Sequence, residues 1–325
     1  MFEKVNAGHP DKMADRLAGA VVDLVYERAG GLTKANPRVA CEVMAGHGKA
    51  TVMIESSEDF REVEIEPIVR RLAGDVTLDL HAVRQDALLA GNQEGAVRCG
   101  DNGIFRGCAP TYEQKVLTAM AASIYERWPY DGKYIIGRYR HKGNIVPSED
   151  DDRSLAITVC QSHATDDEIL DWWHRFGNEH LWDLQVSKTF CFGRTKDDKK
   201  RYISLTKANP LGEWTGGPDV DCGATNRKLG SDMGEGVTGG GLHGKDLSKG
   251  DVSINIACFL KAVQSGQTVT ACCSIGDEQV TFVYAGGKTE TETFRDVVEM
   301  ARLYILTVGG FEKFSEWGLI RPKDL

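Results

Sequence analysis

The sequence predicts an α+β protein made of three similar units, with helices packed on one face of mostly antiparallel sheets. Two observations carry this. Stretches with apolar residues at helical spacing flank pairs of strand-like runs, and the order helix, strand pair, helix recurs three times along the chain. At 325 residues the chain is also long enough for about two ordinary domains or three small ones.

In the first round, Met13, Leu17, Ala20, Val21, Leu24 and Val25 mark a helix over 11–28. Pro10 suits its first turn, where a missing N–H costs nothing, and Gly30-Gly31 stops it. Two strand-like runs follow, 38–44 (RVACEVM) and 50–55 (ATVMIE), joined by the turn AGHGK, then a helical stretch over 60–73. The second round has a helix at 113–127, strands at 133–140 and 154–160, a helix at 165–178, and strands at 187–191 and 202–206. The third has a helix at 251–264, strands at 268–274 and 279–284, and a last helix at 292–307. Two glycine- and charge-rich stretches, 85–107 and 209–251, interrupt the pattern and are too long for simple connectors, which points to function.

Composition narrows the class. A net charge of −9 argues against a general nucleic-acid surface, which needs a basic patch. Nine cysteines, an odd number with no C-x-x-C, favour reduced and buried thiols in a cytosolic protein over a disulfide framework or a zinc site. No apolar run has the length of a membrane helix, and the N-terminus has no signal-peptide pattern.

The chemistry concentrates in two places. Asp11 and Asp15 share one helix face just after His9. Two carboxylates at that spacing repel by a few tenths of a kcal/mol unless a cation sits beside them. The turn is therefore either a solvated helix start or a divalent-metal ligand beside a histidine donor. Residues 226–251 carry Arg227, Lys228, Lys245 and Lys249 around Gly239-Gly240-Gly241. Glycines let backbone N–H groups approach phosphate oxygens, and paired cations add charge-assisted hydrogen bonds. GGGLHGKD lacks the spacer and the Ser/Thr of a Walker A loop, so this is no ordinary P-loop.

An ordered set of motifs is specific. G-H-P-D-K at 8–12, A-C-E at 40–42, G-D-N-G at 100–103, N-P-x-G at 209–212, G-G-P-D-V-D-C-G-x-T-x-R-K at 216–228 and G-G-G-x-x-G-K-D-x-x-K-x-D at 239–251 together resemble methionine adenosyltransferase, the S-adenosylmethionine synthetase family. The resemblance runs from Val5 to the last helix and weakens after about residue 265. It implies three α/β-sandwich-like domains around a pseudo-threefold axis, here 1–108, 109–215 and 216–325. It also implies a homodimer or tetramer with active sites at the subunit interface, and a cytoplasmic enzyme that joins ATP and L-methionine. The methionine sulfur attacks C5′ of ATP, and the displaced tripolyphosphate is hydrolysed to pyrophosphate and phosphate.

The same resemblance assigns roles. Asp11 and Asp251 hold Mg²⁺, two ions per site, and Glu42 a K⁺. His9, Lys133, Arg227 and Lys245 are the catalytic set; they bind ATP together with Asp101, Asp131, Trp214, Asp221, Lys228 and Leu242. Glu55, Gln85, Asp221 and Lys249 take the methionine. The logic is electrostatic: the leaving group carries about four negative charges, and neutralising such charge is usually the largest catalytic term. No general base is needed, since a thioether has no proton to lose. The chain departs from the family in a shortened stretch between Gln85 and Asp101, in Asn6-Ala7 where relatives have Ser-Glu, in the Asn of G-D-N-G, and in His243, where relatives carry Phe or Ser. These touch gating, adenine packing and the monovalent-ion site, and leave the phosphate-binding charges in place. The alternatives are a tripolyphosphate hydrolase and a catalytically weak regulatory homologue.

Overall fold

The computed structural model describes residues 1–93, 97–138, 154–187, 190–195, 202–238 and 240–322. The chain opens with β1 (Phe2–Val5) and α1 (Pro10–Arg28), then a hairpin of β2 (Val39–Gly46) and β3 (Lys49–Ser56). α2 (Glu62–Ala73), β4 (Thr77–Arg84), the short α3 (Ala87–Asn92) and β5 (Gly103–Gly107) follow. Next come α4 (Tyr112–Arg127), β6 (Gly132–Arg138), β7 (Ser154–Gln161), α5 (Asp166–His180), β8 (Leu181–Ser187), β9 (Phe190–Thr195) and β10 (Tyr202–Ala208). The last third holds β11 (Gly223–Ala224), α6 (Leu229–Met233), α7 (Gly250–Ser265), β12 (Val269–Cys273), β13 (Gln279–Tyr284), β14 (Thr289–Thr293), α8 (Phe294–Val308) and α9 (Phe311–Ser315). None of the described helices is long and apolar enough to cross a membrane.

Two compact units result. One comprises Met1–His9, Thr111–Gly217 and Pro322–Leu325; the other comprises Pro10–Pro110 and Pro218–Arg321. The first holds a sheet in the order β1-β6-β7-β10-β9-β8, with α4 against β1 and β6 and α5 against β8, β9 and β10. Thr111 caps α4 in a reciprocal box with Gln114, satisfying two of the donors a helix start leaves open. Leu117, Met120, Ala121 and Ile124 of α4 are buried in this unit, as are Tyr134, Ile136, Ile157 and Val159 of the strands.

The second unit holds two sheets, β11-β2-β3-β4 and β14-β13-β12-β5. α1 packs on β2 and β11 and against α9, while α7 packs on β5 and β12 and against α8. Alternation in β2 and β3 puts Val39, Cys41, Val43, Val52 and Ile54 inside and leaves Glu42, Met44, Met53 and Glu55 outside. Pairing is antiparallel throughout except for β3 with β4 and β10 with β7.

The α+β class and the antiparallel bias agree with the expectation, and three sheets carry the three rounds. The helix over 11–28 and the hairpin stand nearly where the periodicity puts them. Of the strand expected at 187–191, Ser187 ends β8 and Phe190 and Cys191 open β9, while 188–189 lie outside the described residues. The helix expected at 292–307 begins at Phe294, because Thr289–Thr293 is a strand, and a further short helix, α9, follows it. The expectation of buried thiols holds for Cys41, Cys99, Cys258 and Cys273 but fails for Cys222 and Cys272, which are exposed; these six, with Cys108 and Cys160, are free.

Candidate active site

The second unit gathers cations around two buried carboxylates. Asp11, in the first turn of α1, is 2% exposed. Its Oδ1 accepts the Ala224 N–H at 2.9 Å. Its Oδ2 lies 3.2 Å from Lys228 Nζ, and Arg227 is 3.6 Å from Oδ1. So close an approach requires a glycine at 223, since a Cβ there would meet the Pro10 carbonyl carbon at 2.1 Å. Asp15, one turn on, accepts the Asn226 N–H at 2.8 Å. The two carboxylates thus hold alternate N–H groups of 224–226, which lays the Arg227-Lys228 pair beside Asp11.

Asn226, at φ 62°, is the joint to the glycine loop. Its Oδ1 accepts the N–H groups of Leu242 (2.8 Å) and His243 (2.9 Å), and its Nδ2 donates to the His243 carbonyl. Gly244, at φ 77°, lets the loop turn and place its carbonyl 2.7 Å from the Cys41 N–H. Lys245 follows and donates to Asp251 Oδ2, which also accepts the Gly241 N–H at 3.2 Å. Burial alone would lower the Lys245 pKa; the carboxylates of Asp251, Glu42 and Asp101 outweigh it and hold the ammonium above its usual value.

Asp251 is 3% exposed, and its Oδ1 is buried with no hydrogen-bond partner, the state expected of a carboxylate oxygen shaped for a cation. Glu42 stands on the outer face of β2 with Oε2 accepting the Thr225 hydroxyl, a hard oxygen pair that suits a monovalent ion. The one His/carboxylate group close enough to ligate a metal among the described residues is Asp15, Asp232 and His243, and Lys12 Nζ already stands among them.

The remaining expected residues sit as follows. Glu55, in β3, is exposed beside Ala40 and Val83. Gln85 takes its N–H to the Ser56 carbonyl and its Nε2 to Gln93, while its Oε1 is buried and unpartnered. Asp101 is half-buried and caps the Asn102 N–H. Asp221 is exposed and accepts from its neighbour Cys222. Lys249 starts α7, its carbonyl taking the N–H groups of Val252 and Ser253. Leu242 is 1% exposed and belongs to the apolar core, which closes its side chain to a ligand.

Four expected residues belong to the first unit. His9 is buried, with its N–H on the Asn6 carbonyl. Asp131 Oδ2 accepts the Gly217 N–H at 3.0 Å. Lys133, in β6, is half-buried, 3.7 Å from Glu3. Trp214 lines an open cavity of about 410 Å³ with His163, Ala164, Thr165, Glu168, Glu213 and Thr215, its indole N–H on Asn209. The residues that sequence reasoning passed over are Lys12, Asn226, Asp232 and Thr225. Lys12 and Thr225 lay in plain view inside G-H-P-D-K and G-x-T-x-R-K; Asn226 and Asp232 carry no spacing signal, because Asp15 and Lys12 are far from them in the chain.

Comparison with known proteins fits this arrangement. Residues 1–89 match the family described as S-adenosylmethionine synthetase, N-terminal domain. The chain is 32% identical over 289 residues to an S-adenosylmethionine synthase of Parvibaculum lavamentivorans, covering 77% of this chain and 68% of that one. It is 26% identical over 319 residues to that of Mesoplasma florum, covering 89% and 79%. Its fold is similar to the structure of an unusual S-adenosylmethionine synthetase from Campylobacter jejuni, with a TM-score of 0.66 at 18% identity over 100% of this chain and 97% of that one.

Proposed function

The chain belongs to the S-adenosylmethionine synthetase family, and from that premise we propose that it makes S-adenosylmethionine from ATP and L-methionine. The methionine sulfur attacks C5′, the C5′–O bond breaks, and tripolyphosphate leaves and is cut to pyrophosphate and phosphate. The observation that carries the reading is the cluster of Arg227, Lys228 and Lys245 against buried Asp11 and Asp251 on a glycine-rich frame. An acidic chain gathers three cations there, which suits a polyanion.

Mg²⁺ held by Asp11 and Asp251 would neutralise phosphate oxygens as a Lewis acid. Arg227, Lys228 and Lys245 bind the remaining oxygens and stabilise the charge that develops as the bond breaks. His9 donates a hydrogen bond to the leaving oxygen, and Lys133 adds charge to the phosphates. Asp131, Asp101 and Asp221 fix the nucleotide and ribose, Leu242 contributes its main chain, and Trp214 stacks on adenine. Glu55 takes the methionine ammonium with Lys249 and Gln85 beside it; the unpartnered Gln85 Oε1 supports this, as an acceptor that a cationic amine satisfies. Glu42 holds K⁺. Self-association of two copies is supported by Met44, Met53 and Val83, which lie 64%, 53% and 45% exposed on the outer face of one sheet. A reducing, cytoplasmic setting is supported by the free thiols.

The test is mass spectrometry of protein incubated with ATP, methionine, Mg²⁺ and K⁺, with phosphate and pyrophosphate counted. S-adenosylmethionine with equal phosphate and pyrophosphate, lost in Asp11→Asn and Lys245→Met, is the expected result. Cleavage of added tripolyphosphate without S-adenosylmethionine would replace the reading with a hydrolase.

A further inference from the structure

Lys12, Asp15, Asp232, His243 and Ser315 form a polar cluster sealed inside the second unit, none of them more than 2% exposed. The Lys12 ammonium donates to Asp15 at 3.0 Å and to Asp232 at 2.6 Å. His243 Nε2 lies 2.8 Å from the same Asp232 oxygen, and its Nδ1 lies 3.0 Å from Ser315 Oγ. Ser315 Oγ also lies 2.8 Å from the Phe311 carbonyl, so its hydroxyl stands between Nδ1 and that oxygen. Nε2 carries the proton and donates it to the Asp232 carboxylate, which can only accept, with the Lys12 ammonium 3.4 Å away.

Buried ion clusters are weak evidence of net stability, because desolvation offsets their attraction. What this one does follows from where its members sit. Asp15 holds the Asn226 N–H, one residue before Arg227 and Lys228. His243 is gripped by Asn226 at both its N–H and its carbonyl, two residues before Lys245. The Asp232 carbonyl accepts from Leu319 and Ile320, which ties in the C-terminal segment. The imidazole is thus the pin between a charged floor, Lys12 with its two carboxylates, and a loop that carries a phosphate-binding lysine.

We propose that His243 is a positioning residue for the polyphosphate site, fixing 241–245 so that Lys245 reaches Asp251. Lys12 and Asp232 form the seat on which the ring rests. The inference depends on the reading of Lys245 and its neighbours as polyphosphate ligands. A misplaced Lys245 weakens neutralisation of the departing tripolyphosphate and leaves the methionine contacts alone, so the effect falls on kcat and on tripolyphosphate affinity.

The test compares His243→Phe, which keeps a ring and removes both nitrogens, with His243→Gln, which restores a donor and an acceptor. Ser315→Ala removes only the Nδ1 partner and serves if the phenylalanine variant does not fold. Expected are a kcat loss of about 10-fold or more in His243→Phe, a KM for methionine within about twofold of wild type, and partial recovery in His243→Gln. Hydrogen exchange in the peptide 240–246 should speed up in His243→Phe and not in His243→Gln, with tripolyphosphate binding by calorimetry weakening in step. Wild-type kcat and unchanged exchange in His243→Phe would overturn the proposal. So would equal losses in both variants with exchange raised across the whole unit, which would mark a merely structural role. If the wild-type protein makes no S-adenosylmethionine, the functional reading fails on its own, while loop exchange and tripolyphosphate binding still decide the role of His243.

Discussion

Replacing Lys12 by methionine keeps most of the side chain's volume and removes its charge. The consequence can be worked from the structure. The ammonium sits between two carboxylates, Asp15 and Asp232, with all three side chains at most 1% exposed. Burial alone would lower the Lys12 pKa; the two carboxylates outweigh it and hold the group above its usual value, so it is charged across neutral pH. Taking it away strands two buried carboxylates. Breaking a buried pair from one side costs about 3–5 kcal/mol. For a unit of this size each kcal/mol moves the melting temperature by about 2–4 °C, so Lys12→Met should melt about 6–20 °C lower. Calorimetry of the purified protein measures this, and adding Asp232→Asn to Lys12→Met should recover part of the loss by neutralising one stranded group. A drop of less than about 2 °C, or no recovery in the double variant, would refute the account of the cluster as carboxylates held by a resident ammonium.

Three further outcomes are expected. Gly244→Ala should destabilise by about 2 kcal/mol or more, since φ is 77° and a Cβ would lie 2.2 Å from the Cys41 carbonyl oxygen; chemical denaturation reads this, and tripolyphosphate binding should weaken with it. Burial pushes the Asp23 carboxyl up to about 6, so the folded state takes up a proton that the unfolded chain has already released near pH 4. Its contribution is therefore full below about pH 4 and lost as pH rises to about 6, and denaturation at the two pH values should show wild type losing up to about 3 kcal/mol relative to Asp23→Asn. Trp214→Ala should raise the KM for ATP by about fivefold or more, with Trp214→Phe close to wild type, as measured by initial rates of product formation.

Elements with a buried stripe were legible in the sequence, and those without one were not. α1 and the β2–β3 hairpin announce themselves because one face of each enters the core. β4 went unread because its inner residues, Leu78, Leu80 and Ala82, are only half-buried and the strand lies at a sheet edge. β14, with the sequence TETET, has no apolar residue at all; it is held by its ladder to β13 and by Lys261 reaching Glu290 and Glu292. β5 is short and bounded by glycines, and Gly107 is required because a Cβ would strike the Cys258 carbonyl carbon on α7 at 2.1 Å. In the site, the charged residues of the motifs were legible because their chemistry is local. A solvated helix start was one of the two readings of Asp11 and Asp15; both are buried instead, with Arg227 and Lys228 beside the one and Lys12 beside the other. Asp232 and Asn226 were invisible because folding alone brings them to Lys12 and to the loop, across more than two hundred residues in the case of Asp232.

The order of the strands sets a timetable for synthesis. Among the described residues β5 pairs with β12 alone, and β2 takes β11 at its edge, so both sheets of the second unit are completed by chain made long after their first strands emerge. At ribosomal rates of 5–20 residues per second, Gly103–Gly107 waits about ten to thirty seconds for Val269–Cys273. Throughout that interval the apolar faces of α1, β2 and β3 are without their final cover. A permuted gene that makes the two halves of the second unit in succession should shorten that interval.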